Sequence, residues 1–200
     1  NGNGYGGGNN DIDKCVAIGK RVTKYGMKLL VNFHYSDFWA DPAKQKAPKE
    51  WANYSIYEKC DALYNYTYDS LCKLYAEGID VGMVQVGNET TGGFIGETNV
   101  VNMCTLFSAG SKGVKAYNKD VKVVIHVESP HKGTVAAWAK NLSDNNVNYD
   151  IIATSYYPYW HGTLSNLKSQ FQTVKSTYGK DVMVAETRYA YTLEDSDGHE

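Results

Sequence analysis

Apolar and polar positions along this chain follow two alternating periods. Compact apolar runs are separated by longer stretches in which apolar side chains recur every three or four residues. Ile12, Val16, Gly19 and Val22 share one helical face. Asn10 and Asp11 stand before them as candidate caps, and Gly26 follows Tyr25 as a stop, so the spacing predicts a first helix there. "MKLLVNF" then reads as a strand. "YSIYEKCDALYNYTYDSLCKLYAEG" reads as a second helix, with Tyr57, Leu63, Leu71 and Leu74 on its apolar positions and Gly78 closing it. Further helices are predicted over about Asn99–Tyr117, Val135–Leu142 and Leu164–Tyr178, the last stopped by Gly179. They alternate with the strands "VGMVQVG", "VKVVIHV", "YDIIATSYY" and "DVMVAET".

Five strands alternating with helices imply a parallel sheet, and runs such as Val121 to Ile125, interrupted only by Lys122, suit strands buried on both faces. An open doubly wound sheet and a (β/α)8 barrel both fit this order. The strand ends favour the barrel. His34, Tyr35 and Asp37 follow the first strand, and Asn88 and Glu89 the second. His126 and Glu128 belong to the third, Tyr156 and Tyr157 to the fourth, Glu186 and Thr187 to the fifth. An open sheet would concentrate its chemistry at one switch point, whereas a barrel brings all strand C-termini to one rim. The expectation is a single partial barrel domain over residues 1–200, corresponding to about strands 3 to 7. Strands 1, 2 and 8 would lie outside it.

Composition narrows the function classes. A formal charge of −2 over 200 residues gives no electrostatic attraction to nucleic acid or acidic lipid. No stretch approaches the roughly 18 apolar residues of a membrane span. The chain begins at Asn1, so the lack of a visible leader says nothing about export. Cys15, Cys60, Cys72 and Cys104 lack metal-type spacing and are read as buried thiols within helices. Seventeen tyrosines and four tryptophans suit an aromatic core, a sugar-binding surface, or both.

Two glutamates carry the strongest chemical signal. Glu89 closes "VQVGNE" and Glu186 closes "VMVAET", three strands later. Hydrolysing a glycosidic acetal with retention needs one protonated carboxyl at the leaving oxygen and one carboxylate at the anomeric carbon, about 5–5.5 Å apart. Non-adjacent strands on one rim can supply that pair, and burial with mutual repulsion would separate their pKa values. Glu128 is a competing carboxylate on a neighbouring strand. Trp39 and Trp160 lie in loops after strands, where a flat ring can cover a pyranose face; Trp51 and Trp138 are assigned to packing. The G-x-G-x-x-G at Gly2, Gly4 and Gly7 has no preceding strand and a methionine where an acidic residue belongs, so it reads as a flexible loop. Asp195, Asp197 and His199 alternate in "EDSDGHE", a spacing that fits either a calcium loop or a solvated acidic loop. Glycosylation-type tripeptides begin at Asn53, Asn65, Asn88 and Asn141, and a glycan on Asn88 would block the proposed site. His34 and His126 come without H-x-H or H-E-x-x-H, which argues against a metal-dependent hydrolase.

"NFHYSDFWADPAKQKAPKEW", "GMVQVGNETTGG", "TSYYPYWHGTL" and "VMVAETRYAYTLEDSDGHE" together resemble glycoside hydrolase family 53, the endo-β-1,4-galactanases, over nearly the whole chain. The resemblance implies a retaining (β/α)8 enzyme with Glu89 as acid/base and Glu186 as nucleophile. It implies that Asn88 binds the sugar 2-hydroxyl and that Tyr156 hydrogen-bonds the nucleophile. His34 and His126 would line the pocket, with Asp37, Trp39 and Trp160 in the substrate groove. No cofactor is implied for the chemistry, but a structural calcium held by Asp195, Asp197 and His199 is. The implied enzyme is a secreted, extracellular monomer acting on galactan in pectin side chains. Another β-1,4-glycanase of the same clan, such as a mannanase, and a non-catalytic carbohydrate-binding barrel are the alternative readings.

Overall fold

The computed structural model describes residues 10–189 and Thr192. Gly2, Gly4 and Gly7 of the glycine-rich motif, and Asp195, Asp197 and His199 of the expected calcium loop, lie outside the described residues. Helices and strands alternate throughout: α1 (Ile12–Lys24), β1 (Leu29–Phe33), α2 (Ile56–Ala76), β2 (Val81–Val86), α3 (Val100–Tyr117), β3 (Lys122–Val127), α4 (Thr134–Asp144), β4 (Ile151–Ser155), α5 (Leu164–Tyr178) and β5 (Asp181–Glu186). The helix starts are set by local chemistry. The Asp11 carboxylate accepts the Lys14 N–H, and Ser55 and Glu58 cap α2 reciprocally. Gly179 ends α5 in the left-handed conformation that glycine adopts without strain.

All neighbouring strands pair in parallel, in the order β1-β2-β3-β4-β5. Each strand sits beside its predecessor, so among the described residues the order never reverses and shows no switch point of the doubly wound kind. The two faces of the sheet also differ. Val31, Val84, Val123, Ile125 and Ile152 point outward and join the helices in one large core, which includes Leu63, Leu71, Phe107 and Trp138. On the other face Val124, Ile151 and Ala153 pack with Met83, Met183 and Ala185, all of them strand residues. Helices on one face and strand side chains alone on the other make this the wall of a (β/α)8 barrel, present over five of its units. The barrel expectation holds.

Trp51 and Trp138 are buried, as packing roles require. Of the four cysteines, which are all free, only Cys104 is buried. Cys15, Cys60 and Cys72 are half-buried because they lie on helix flanks, so the expectation of four buried thiols is corrected. No helix among the described residues is long and apolar enough to cross a membrane.

Candidate active site

The inward faces of the strands turn from apolar to polar toward their C-terminal ends. Asn32 on β1, Gln85 on β2, His126 on β3 and Ser155 on β4 each interrupt an otherwise apolar strand, and side-chain alternation brings them to the same face. They meet in a buried network. Gln85 Nε2 lies 2.8 Å from Asn32 Oδ1 and 3.1 Å from His126 Nδ1, and His126 Nε2 lies 3.0 Å from Ser155 Oγ. His126 is 0% exposed. Desolvation, reinforced by the neighbouring His34, pushes its pKa down to about 3, so the ring is neutral.

Glu89 emerges just above this layer. Gly87, with φ of 89°, turns the chain out of β2, and a Cβ there would lie 2.6 Å from Thr90 Cγ2 and 2.8 Å from Phe94 Cε2. Only glycine satisfies both the dihedral angle and the space. Glu89 itself has φ of 49°, the left-handed region that non-glycine residues occupy at a cost. Its backbone N–H donates to His126 Nδ1 at 3.3 Å, and its side-chain Oε1 accepts the Ser155 hydroxyl at 2.6 Å. Desolvation raises the Glu89 pKa; the Ser155 hydrogen bond opposes this, while the charges of Glu186, Glu128 and Asp41 add to it.

Glu186 ends β5, beside Ser155 in the register of the β4–β5 pair. Its Oε2 accepts the Tyr157 hydroxyl at 2.9 Å. Desolvation, then the bond to Glu186 and the carboxylate charges, holds the Tyr157 phenol above its ordinary pKa, so it stays a donor. Glu89 and Glu186 line one cavity of about 740 Å³, together with Glu128, Tyr157, Trp160 and Arg188. The cavity is a groove open to solvent on the side of the half-exposed Trp160, whose ring stands edge-on to Tyr159 at 4.8 Å.

One expected contact is corrected, and three further expected residues lie outside the lining of the cavity. Tyr157, not Tyr156, holds Glu186. The Tyr156 N–H pairs with the Glu186 carbonyl at 2.8 Å, while its hydroxyl turns away to the Gly162 carbonyl at 2.8 Å. Counting by twos from Ala153 and Ser155 gives the reason, since it puts residue 157 on the inner face and 156 on the outer. His126 lies beneath the cavity floor rather than in its lining. Asn88 is 2% exposed, and its Nδ2 donates to the Ala40 carbonyl at 3.0 Å while its Oδ1 accepts from Asn32 at 3.1 Å. It is therefore built into the floor, and it has no room for a glycan. Asp37 braces its own loop, accepting the Lys49 N–H at 2.7 Å.

His34 and Trp39 form a unit beside the cavity. The half-buried His34 accepts the Ala40 N–H through Nδ1 at 3.0 Å, and its ring meets the exposed Trp39 edge-on at 6.2 Å. Gln45 straps the same loop down, with Nε2 at 2.8 Å from the Asn88 carbonyl and 3.3 Å from that of Glu89. Asn32, Gln85, Ser155 and Tyr157 are the site residues that motif reading missed. Their signal was a polar residue inside an apolar strand, or its continuation by two. Among the described residues no group of His, Cys, Asp and Glu could hold a metal.

Comparison with known proteins gives the family. The family model described as "Glycosyl hydrolase family 53" matches residues 1–200. The endo-beta-1,4-galactanase of Bacillus subtilis (strain 168) is 60% identical over 200 residues, which are 100% of this chain and 47% of that protein. The arabinogalactan endo-beta-1,4-galactanase of Cellvibrio japonicus (strain Ueda107) is 38% identical over 94% of this chain and 52% of its own length. The solved GH53 catalytic domain from Ignisphaera aggregans superposes with a TM-score of 0.90 at 39% identity, covering 97% of this chain and 55% of that one. This chain thus spans about half the length of the relatives it matches. With the family model matched end to end on a barrel wall that carries both glutamates, the chain belongs to glycosyl hydrolase family 53.

Proposed function

We propose that this chain carries the catalytic wall of an endo-β-1,4-galactanase that cleaves internal bonds of galactan with retention of configuration. The observation that supports it best is the unequal treatment of two carboxylates in one cavity. Glu89 is biased toward its protonated form, as a general acid must be. Glu186 receives the Tyr157 hydroxyl, as suits a carboxylate that must stay ionised.

In the first step Glu89 gives its proton to the glycosidic oxygen as the C1–O bond breaks, and a Glu186 oxygen bonds to C1. In the second, Glu89 takes a proton from water, the hydroxide adds to C1, and Glu186 leaves as a carboxylate. Trp160 and Tyr159 offer ring faces to sugars on either side of the cleaved bond. The substrate class comes from the activities named for the Bacillus and Cellvibrio relatives. A purely carbohydrate-binding barrel would gain nothing from the burial that biases Glu89.

The same reading makes the protein a secreted monomer. It also assigns a structural calcium to the loop of Asp195, Asp197 and His199, with no chemical step routed through the ion. The test is release of reducing ends from galactan, mannan and xylan by the full-length protein. Galactan should be preferred, and Glu186→Gln should lower turnover by about 10⁴-fold. Wild-type turnover in that variant, or equal action on all three polymers, would contradict the reading.

A further inference from the structure

We propose that Glu89 closes a ring of hydrogen bonds on itself that confines its catalytic proton to Oε2, with His126 and Ser155 as positioning residues. The inference rests on reading Glu89 as the acid/base, and it specifies which oxygen does the work.

The ring starts at a group whose role is fixed. The backbone N–H of Glu89 can only donate, and it points at His126 Nδ1 from 3.3 Å. Gln85 Nε2 lies 3.1 Å from the same nitrogen, but its two protons go to Asn32 Oδ1 at 2.8 Å and the Gly87 carbonyl at 3.1 Å, so the Glu89 N–H is the donor to Nδ1. Asn88 Oδ1, 3.3 Å from Nδ1, takes its proton from Asn32 Nδ2 at 3.1 Å. Nδ1 is therefore bare. The His126 ring is buried and neutral, so its one proton sits on Nε2, aimed at Ser155 Oγ 3.0 Å away. The Ser155 oxygen is thereby an acceptor, and its single proton goes to Glu89 Oε1 at 2.6 Å. Every donor direction follows from the one before it, and the sequence of bonds ends on the residue where it began.

Oε1 accepts this bond whether the carboxyl is ionised or protonated, so the acid proton is left to Oε2. Three carboxylates face Glu89 from other elements: Glu186 at the end of β5, Glu128 after β3 and Asp41 in the loop after β1. All three disfavour its ionised form, and the Ser155 hydroxyl is the group that favours it. His34 is the charged or titratable neighbour that acts on His126. Removing the Ser155 hydroxyl should therefore free the proton to settle on either oxygen and also raise the pH at which Glu89 ionises.

The experiment compares Ser155→Ala with Glu89→Ala in the full-length protein, on galactan and on a β-galactobioside bearing a 2,4-dinitrophenyl leaving group, which needs no protonation. Ser155→Ala should lower kcat/KM about tenfold on galactan and about twofold on the activated glycoside. It should also move the alkaline limb of kcat/KM upward by about one pH unit. Glu89→Ala should show the same substrate split, larger. Ser155→Cys, a weaker donor of similar size, should show it smaller and carries the test if the alanine variant does not fold. Equal losses on both substrates, or an unmoved alkaline limb, would overturn the ring while Glu89→Ala still splits them. No split in Glu89→Ala would remove the acid/base reading and the ring with it.

Discussion

Glu89 and Glu186 leave parallel strands of one sheet into the same cavity, yet their surroundings differ. The end of β2 is enclosed. Its last residues are buried, the loop carrying Ala40 and Gln45 is strapped over Asn88, and a neutral histidine lies directly beneath. β5 is the last strand of the described sheet and pairs only with β4, and the Glu186 side chain at its end accepts the Tyr157 hydroxyl. Enclosure biases a carboxylate toward its neutral form, and a hydroxyl donor is a contact that a carboxylate accepts. On the proposed reading, one barrel rim supplies an acid and a nucleophile from the same residue type, and the difference comes from the groups each side chain meets.

Breaking the Glu186 side should have the larger effect. Tyr157→Phe removes the donor to Glu186 and should lower kcat about 30-fold with KM little changed, an effect of about 2 kcal/mol on the barrier. Tyr156→Phe is the sharpening control, since its hydroxyl only meets the Gly162 carbonyl. It should cost about 1 kcal/mol of stability and leave kcat within about twofold. The reverse ranking in steady-state assays on galactan would restore Tyr156 to the role that Tyr157 takes here.

Breaking the Glu89 side should appear in stability. A carboxyl whose folded-state pKa is raised adds its full contribution below the unfolded value near 4.5, and loses it as pH rises through the folded value. Glu89→Gln should therefore raise Tm by roughly 2 °C at pH 7 and by nothing measurable at pH 4. A gain of equal size at both pH values would show that ionisation is not what the enclosure opposes. His126 has the opposite sign. Its folded pKa is depressed, so its contribution is present above the ordinary value of 6.5 and is lost as pH falls from there toward about 3. Thermal melts of the wild type across that window should show a steady fall in Tm, and a flat profile would contradict the buried neutral ring.

Much of this was legible in the chain, for reasons that differ by residue. The strand–helix alternation and the rim glutamates were readable because period and strand ends are local properties. Tyr156 was misassigned because the β4 motif gives two adjacent tyrosines, and only the register of Ser155 against Glu186 decides which one faces inward. Asn88 and His126 were placed on the right strands, but their depth was not legible. Their burial depends on the loop from Tyr35 to Trp51 folding back over the strand ends, a long-range contact that periodicity does not encode. Ser155 was passed over as an ordinary small residue at a strand end; its part follows only from the side chains that alternation gathers around it.

The central claim is that Glu89 and Glu186 act on one sugar from opposite sides of its anomeric centre in two successive displacements. Proton NMR of galactan cleavage by the full-length protein, recorded before the products mutarotate, tests it most directly. The account predicts that the new reducing ends appear first as the β-anomer. First appearance of the α-anomer would contradict it.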